Sequence, residues 1–108
     1  MTSASSTPEP LQALGNEPLV SIVTPCFNGE HHIGRLIESV LAQTYPNIEF
    51  ILVNDGSTDG TNDVVHQFMG RLDEELTRFV YVEQTNTGVS GAMNAGLQQV
   101  TGEYLCWP

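Results

Sequence analysis

The sequence predicts an α/β fold: a mostly parallel sheet with helices on both faces. Three observations point there. Short apolar runs rich in β-branched residues alternate with stretches of helical periodicity, the connections between them are a few residues long, and the strand-like runs exit into polar, glycine-containing clusters. The element order is β-α-β-α-β-α-β, and short connections of this kind join parallel strands through crossover helices.

Met1 to Glu17 is rich in Ser, Thr, Pro and Ala and poor in large apolar residues. Burial there cannot offset the entropy of ordering, so residues 1–17 are expected to form a disordered arm ahead of a domain at 18–108. From Leu19 the run Leu-Val-Ser-Ile-Val-Thr-Pro reads as a first strand that stops at Pro25, which has no N–H for a central ladder. After a turn at Asn28-Gly29, Ile33, Leu36, Ile37, Val40 and Leu41 share one helical face, and Pro46 blocks continuation. Ile48 to Val53 is short, apolar and β-branched, hence a second strand, and it runs into Asn54-Asp55-Gly56-Ser57-Thr58-Asp59-Gly60. Val64, Val65, Phe68, Met69 and Leu72 define a second helix with Thr58 or Asp59 as N-cap, ending between Arg71 and Glu75. Arg78 to Glu83 alternates as a partly exposed strand does, and Asn86-Thr87-Gly88 opens a third helix whose apolar set is Val89, Ala92, Met93, Gly96, Leu97 and Val100. Glu103 to Trp107 reads as a fourth strand.

Charge narrows the function classes. The 108 residues carry a formal net charge of -10, with no lysine and only Arg35, Arg71 and Arg78 as cations. A nucleic-acid partner is therefore not expected, because phosphate neutralisation needs clustered Lys and Arg. An anionic ligand would instead meet backbone N–H groups, helix starts or a bound cation. Cys26 and Cys106 are too few for a disulfide framework and lack zinc-site companions, so both are read as reduced and buried. No apolar run reaches the ~18 to 20 residues of a membrane span, and no leader pattern opens the chain, so the default location is cytoplasmic.

In open parallel sheets ligands gather beyond the carboxyl ends of the strands, which directs attention to Pro25–Glu30, Asn54–Asp59, Thr85–Ser90 and the stretch past Trp107. Phe27 offers a ring that can stack on a planar base, or on local grounds simply plugs the core. Asp55, directly after a buried strand, can accept hydrogen bonds from a base or sugar, or merely belong to a capped turn. Asp55, Ser57, Asp59 and Gly60 fit the first positions of a calcium loop, but His66 stands where the bidentate Glu is required and a strand precedes the loop. Asn86 to Gly91 lacks the dinucleotide fingerprint spacing, and a chain without lysine completes neither a Walker loop nor a phosphate-receiver site. His31 and His32 diverge by about 100° on a helix and make a poor shared metal site. The Asp73-Glu74-Glu75 run reads as a solvated connection.

Taken together, the loops resemble the N-terminal half of the family 2 inverting glycosyltransferases. The stretches that carry the resemblance are Val20 to Glu30 (VSIVTPCFNGE), Ser39 to Asn47 (SVLAQTYPN), Val53 to Thr61 (VNDGSTDGT), Asn86 to Gly96 (NTGVSGAMNAG) and Gly102 to Leu105 (GEYL). The resemblance implies a partial GT-A fold, Rossmann-like, with a nucleotide-sugar donor, usually a UDP-sugar, and transfer to an acceptor hydroxyl with inversion, commonly in making cell-surface polysaccharides and glycoconjugates. Pro25, Phe27 and Glu30 would line the nucleoside pocket, Asp55 would bind the base or its ribose, and the segment from Gly88 to Asn94 would approach the diphosphate. The family commonly has Arg where this chain has Met93, which removes a cation. The resemblance also puts the metal-binding Asp-x-Asp, with its Mg or Mn, immediately after Pro108, and the acceptor half and catalytic base beyond it. No residue of this chain is therefore expected to be catalytic, and transfer by these residues alone is expected to fail. The alternative is a non-catalytic nucleotide-binding or interaction module.

Overall fold

The computed structural model describes residues 17–106. Of the expected arm at 1–17, residues 1–16 lie outside the described residues, as do Trp107, Pro108 and the side chain of Cys106. The elements are β1 (Val20–Cys26), α1 (Ile33–Leu41), β2 (Ile48–Asp55), α2 (Thr61–Glu75), β3 (Arg78–Gln84), α3 (Gly88–Leu97) and β4 (Tyr104–Cys106). All four strands are parallel, in the order β3-β2-β1-β4. The chain winds outward from β1 to β3 and then crosses back to place β4 on the other side of β1. That reversal leaves a crevice at the carboxyl end of β1.

The alternation of β2 organises both layers. Ile48, Phe50 and Leu52 face one way and pack with Ile22, Ile33, Ile37, Val40, Val65 and Leu72 under α1 and α2. Ile51 and Val53 face the other way and pack with Val23 and Ala92 under α3. Helices therefore cover both faces, as the pattern predicts. Every residue of β2 is buried, which is why it reads as a near-continuous apolar run.

The α3 layer is thin because Gly96 permits it. A Cβ at Gly96 would lie 2.5 Å from Val23 Cγ1 and 3.1 Å from Val53 Cγ2, so the helix backbone rests almost directly on the sheet.

Several boundaries differ from the sequence reading for local reasons. β1 runs one residue past its expected end and includes Pro25, which is tolerated because the described β4 pairing reaches only Ile22. β2 extends to Asp55 and β3 to Gln84, since the ladder between them continues through Asn54↔Glu83 and Asp55↔Gln84. Neither Thr58 nor Asp59 is the N-cap of α2; that position is Gly60. Asp59 Oδ1 still accepts the N–H of Thr61 at 2.9 Å, so a carboxylate one residue upstream serves the helix start. α3 ends at Leu97, leaving Val100 beyond it, and Val89 and Leu97 are exposed rather than buried. Among the described residues β4 is Tyr104–Cys106, starting one residue later than expected, and Trp107 of the expected strand lies outside them. Cys26 is a free thiol but half-buried rather than buried. No helix among the described residues is long and apolar enough to cross a membrane.

Candidate functional site

Two loops at the crevice are laced together by reciprocal hydrogen bonds. Asn28 adopts a left-handed conformation (φ 51°), from which its N–H donates to Ser57 Oγ at 2.8 Å and its Oδ1 accepts the N–H of Thr58 at 2.8 Å. Asparagine tolerates that backbone better than most side chains. Gly29 N–H donates to Thr61 Oγ1 at 2.9 Å, Glu30 N–H donates to Asp59 Oδ2 at 3.2 Å, and Gly60 N–H returns a bond to Glu30 Oε1 at 3.1 Å. The β1 and β2 exits thus form one unit.

A third segment joins through Asp55. Its Oδ1 accepts from Gln84 Nε2 at 2.9 Å, from Thr87 N–H at 2.9 Å and from the Thr87 hydroxyl at 3.2 Å. Its Oδ2 accepts Gly88 N–H at 3.0 Å, the first residue of α3. Asn86 Nδ2 also donates to the Asp55 carbonyl at 3.1 Å. The hydrogen bond from Gln84 leads the effects that hold the Asp55 carboxyl below its ordinary range; burial opposes, and the Thr87 and Gly88 donors add to the lowering. Gly56 makes this closure possible: it has φ +77°, and a Cβ there would sit 2.6 Å from the backbone N of Asn86.

Between these segments lies a small pocket of about 70 Å³ lined by Pro25, Cys26, Phe27, Asp55, Val89 and Ala92. Phe27 is 52% exposed, so it does not plug the core and its ring is free for contact. Val89, 75% exposed, overhangs the same pocket from the first turn of α3. On the α1 side of Phe27 a wider cleft of about 260 Å³ includes Thr24, His32, Ile33 and Leu36. Thr24 Oγ1 is a buried side-chain oxygen without a hydrogen-bond partner. Burial, then the charges of Asp59 and Asp55, push the Cys26 thiol up to about 11, so it stays protonated at neutral pH.

The expected site residues therefore divide. Pro25, Phe27 and Asp55 meet in one pocket, and Gly88 borders it through its bond to Asp55. Glu30 turns instead to Gly60, away from that lining. Asn94 is exposed and lines none of the clefts described. Met93, where a cation was expected, packs partly buried against the Val23, Ile51 and Val53 face. The sequence does not single out Gln84, whose only signal is its place at the end of β3; Thr87 falls within the Thr85–Ser90 loop, but nothing there marks it as a partner of Asp55.

No cluster of three or more His, Cys, Asp or Glu side chains among the described residues could hold a metal ion. The carboxylates nearest the crevice are already engaged: Asp55 by α3, and Asp59 and Glu30 by the loop lacing. The described residues do not make a metal centre.

A parallel sheet covered by helices on both faces, with its crevice at the switch point, is the fold of a GT-A glycosyltransferase domain. A mannosyltransferase from Pyrobaculum calidifontis, solved in complex with GDP-Man and Mn2+, superposes with a TM-score of 0.75 at 28% identity, over 82% of this chain and 26% of that one. Staphylococcus aureus TarS residues 1–349 in complex with UDP gives a TM-score of 0.69 at 29% identity, over 83% of this chain and 26% of that one. Residues 21–108 match the family description Glycosyl transferase family 2, and the chain belongs to that family. The putative teichuronic acid biosynthesis glycosyltransferase TuaG of Bacillus subtilis is 40% identical over 91 residues, 84% of this chain. The glycosyltransferase GlyA of Streptococcus pneumoniae is 37% identical over 86 residues, 80% of this chain. The chain spans 35% of TuaG and 12% of GlyA.

Proposed function

We propose that these residues form the donor-nucleoside pocket of an inverting glycosyltransferase that uses a UDP-sugar and an acceptor hydroxyl of a sugar, lipid or protein. The carrying observation is the meeting of an exposed Phe27 ring, Pro25 and the ionised Asp55 carboxylate in one pocket at the switch point. The ring supplies a face for a base and the carboxylate accepts one of its N–H groups. The amide-rich start of α3, from Gly88, then lies toward the diphosphate. The same path continues along α3 to the exposed Asn94.

The described residues bind and orient; bond-making is not assigned to any of them. A divalent metal at such a site offsets diphosphate charge and stabilises the leaving group, and the mannosyltransferase neighbour was solved with Mn2+. The described residues offer no ligand cluster for such an ion, so their own part is confined to the nucleoside and the approach to the diphosphate. A cytoplasmic location agrees with the free Cys26 thiol and with the donor class.

Calorimetric titration of UDP into the chain tests the reading. Phe27→Ala is the clean variant, since a half-exposed ring holds little of the core, and it should weaken binding about tenfold through lost stacking and contact area. Asp55→Asn should weaken it at least as much. Unchanged affinity in both variants, or no UDP binding by the unaltered chain, overturns the pocket assignment. Turnover of a UDP-sugar by a version extended past Pro108, measured alongside, separates a transferase from a module that only binds.

A further inference from the structure

The Asp55 carboxylate is crowded in an uneven way. A carboxylate has about four acceptor positions, two on each oxygen. Oδ1 already meets three donors of the chain itself: Gln84 Nε2, the Thr87 N–H and the Thr87 hydroxyl, at 2.9, 2.9 and 3.2 Å. Oδ2 meets one, Gly88 N–H at 3.0 Å. Gln84 Nε2 is also 3.0 Å from Thr87 Oγ1, so the two side chains brace each other over Oδ1. Gln84 is the register partner of Asp55 across the β2–β3 ladder, which fixes the approach from the backbone outward. Asp55 is only 3% exposed, and among the described residues one acceptor position, on Oδ2, meets no donor of the chain.

The geometry points to Gln84 and Thr87 as positioning residues that occupy Oδ1 and so limit Asp55 to a single ligand N–H. A base edge with one such donor, as the imide of uracil has, fits the remaining position. Guanine presents two parallel N–H donors, which need a free position on each oxygen, and it would leave one donor unpaired. Discrimination between the bases then comes from two residues that need not touch the ligand, by making the wrong edge unsatisfiable. This rests on the donor-pocket reading above.

The test measures UDP and GDP affinities in parallel by calorimetry. In the double variant Gln84→Leu/Thr87→Val the Thr87 and Gly88 amides still anchor α3, and valine keeps the shape of threonine, but Oδ1 regains an open position. The ratio of UDP to GDP affinity should fall about tenfold, the worth of one charge-assisted hydrogen bond regained by guanine. A ratio equal to that of the unaltered chain overturns the inference. Gln84→Glu provides a second, independent readout. It sets a second carboxylate against Asp55, so UDP binding should weaken at neutral pH and recover as the pH falls toward about 5, where a raised carboxyl reprotonates. Weakening without recovery would mean that Gln84 acts only through packing, and would also overturn it. Failure of the unaltered chain to bind either nucleotide is a different result: it removes the donor pocket itself, and this inference with it.

Discussion

Glu49 lies fully buried in the middle strands, where an ionised side chain survives only with partners on every side. It has them. Ser21 Oγ donates to it at 2.7 Å, Thr101 donates through its N–H at 2.9 Å and its hydroxyl at 2.6 Å, and Arg78 Nη1 pairs with it at 2.5 Å. Burial alone would push the carboxyl up, but the Ser21, Thr101 and Arg78 hydrogen bonds outweigh it and bring it down to about 2. A depressed carboxyl adds stability that is fully present above its unfolded value near 4.5 and is lost as pH falls toward 2. Acid titration of unfolding should therefore show a decline confined to that window. Glu49→Ala should abolish the Glu49 share of it and cost roughly 3 kcal/mol in urea unfolding at neutral pH, because Arg78 loses its carboxylate partner, keeping only the Gln99 carbonyl, and Ser21 and Thr101 lose their acceptor. A loss below about 1 kcal/mol would show that the cluster does not hold the strands together.

At the scale of elements, Glu49 and Asp55 are the two ends of one stripe on β2. Between them Ile51 and Val53 face α3, and the register partners Arg78 and Gln84 meet the two carboxylates from β3. Polar ends and an apolar middle let the same strand be tied at one edge and carry a site at the other. How closely α3 can lie over that stripe is set by Gly96. Gly96→Ala should destabilise by about 1 kcal/mol or more, overpacking against Val23 outweighing the gain in helix propensity. A methyl group added at Gly70 in α2 would meet nothing within 4 Å, so Gly70→Ala should instead stabilise by roughly 0.5 to 1 kcal/mol. Thermal or urea unfolding of the pair checks the contrast, and equal shifts would refute the close-packing argument. Element existence and order were legible because apolar periodicity is a local property: Ile33, Ile37 and Val40 recur on one face and are buried together. Val89 misled the same reasoning. Its apolar side chain falls on the helical stripe but stands over a pocket rather than in the core.

Across the whole molecule, a net charge of -10 without lysine opposes any anionic ligand. UDP affinity should consequently rise as salt is raised from about 10 mM to about 150 mM, where the screening length shrinks from about 30 Å to about 8 Å. Uridine, lacking the diphosphate, should show little change over the same range. A UDP affinity that falls with salt would reveal a local cationic site that the charge balance does not suggest. The family match over residues 21–108 was foreshadowed by loop motifs spread along that same span, from the β1 exit at Pro25 to Gly102.

By itself the sequence determined the alternation of strands and helices, the two-faced sheet and the kinship carried by its loop motifs, because periodicity and turn chemistry are written in neighbouring residues. Tertiary structure alone decided that Glu30 would serve the loop lacing, that Phe27 would stand exposed, and that Gln84 and Thr87 would close on Asp55. The Glu30, Gln84 and Thr87 outcomes depend on hydrogen bonds between residues about 30 positions apart, where strand register and the approach of one loop to another settle which donors a carboxylate meets.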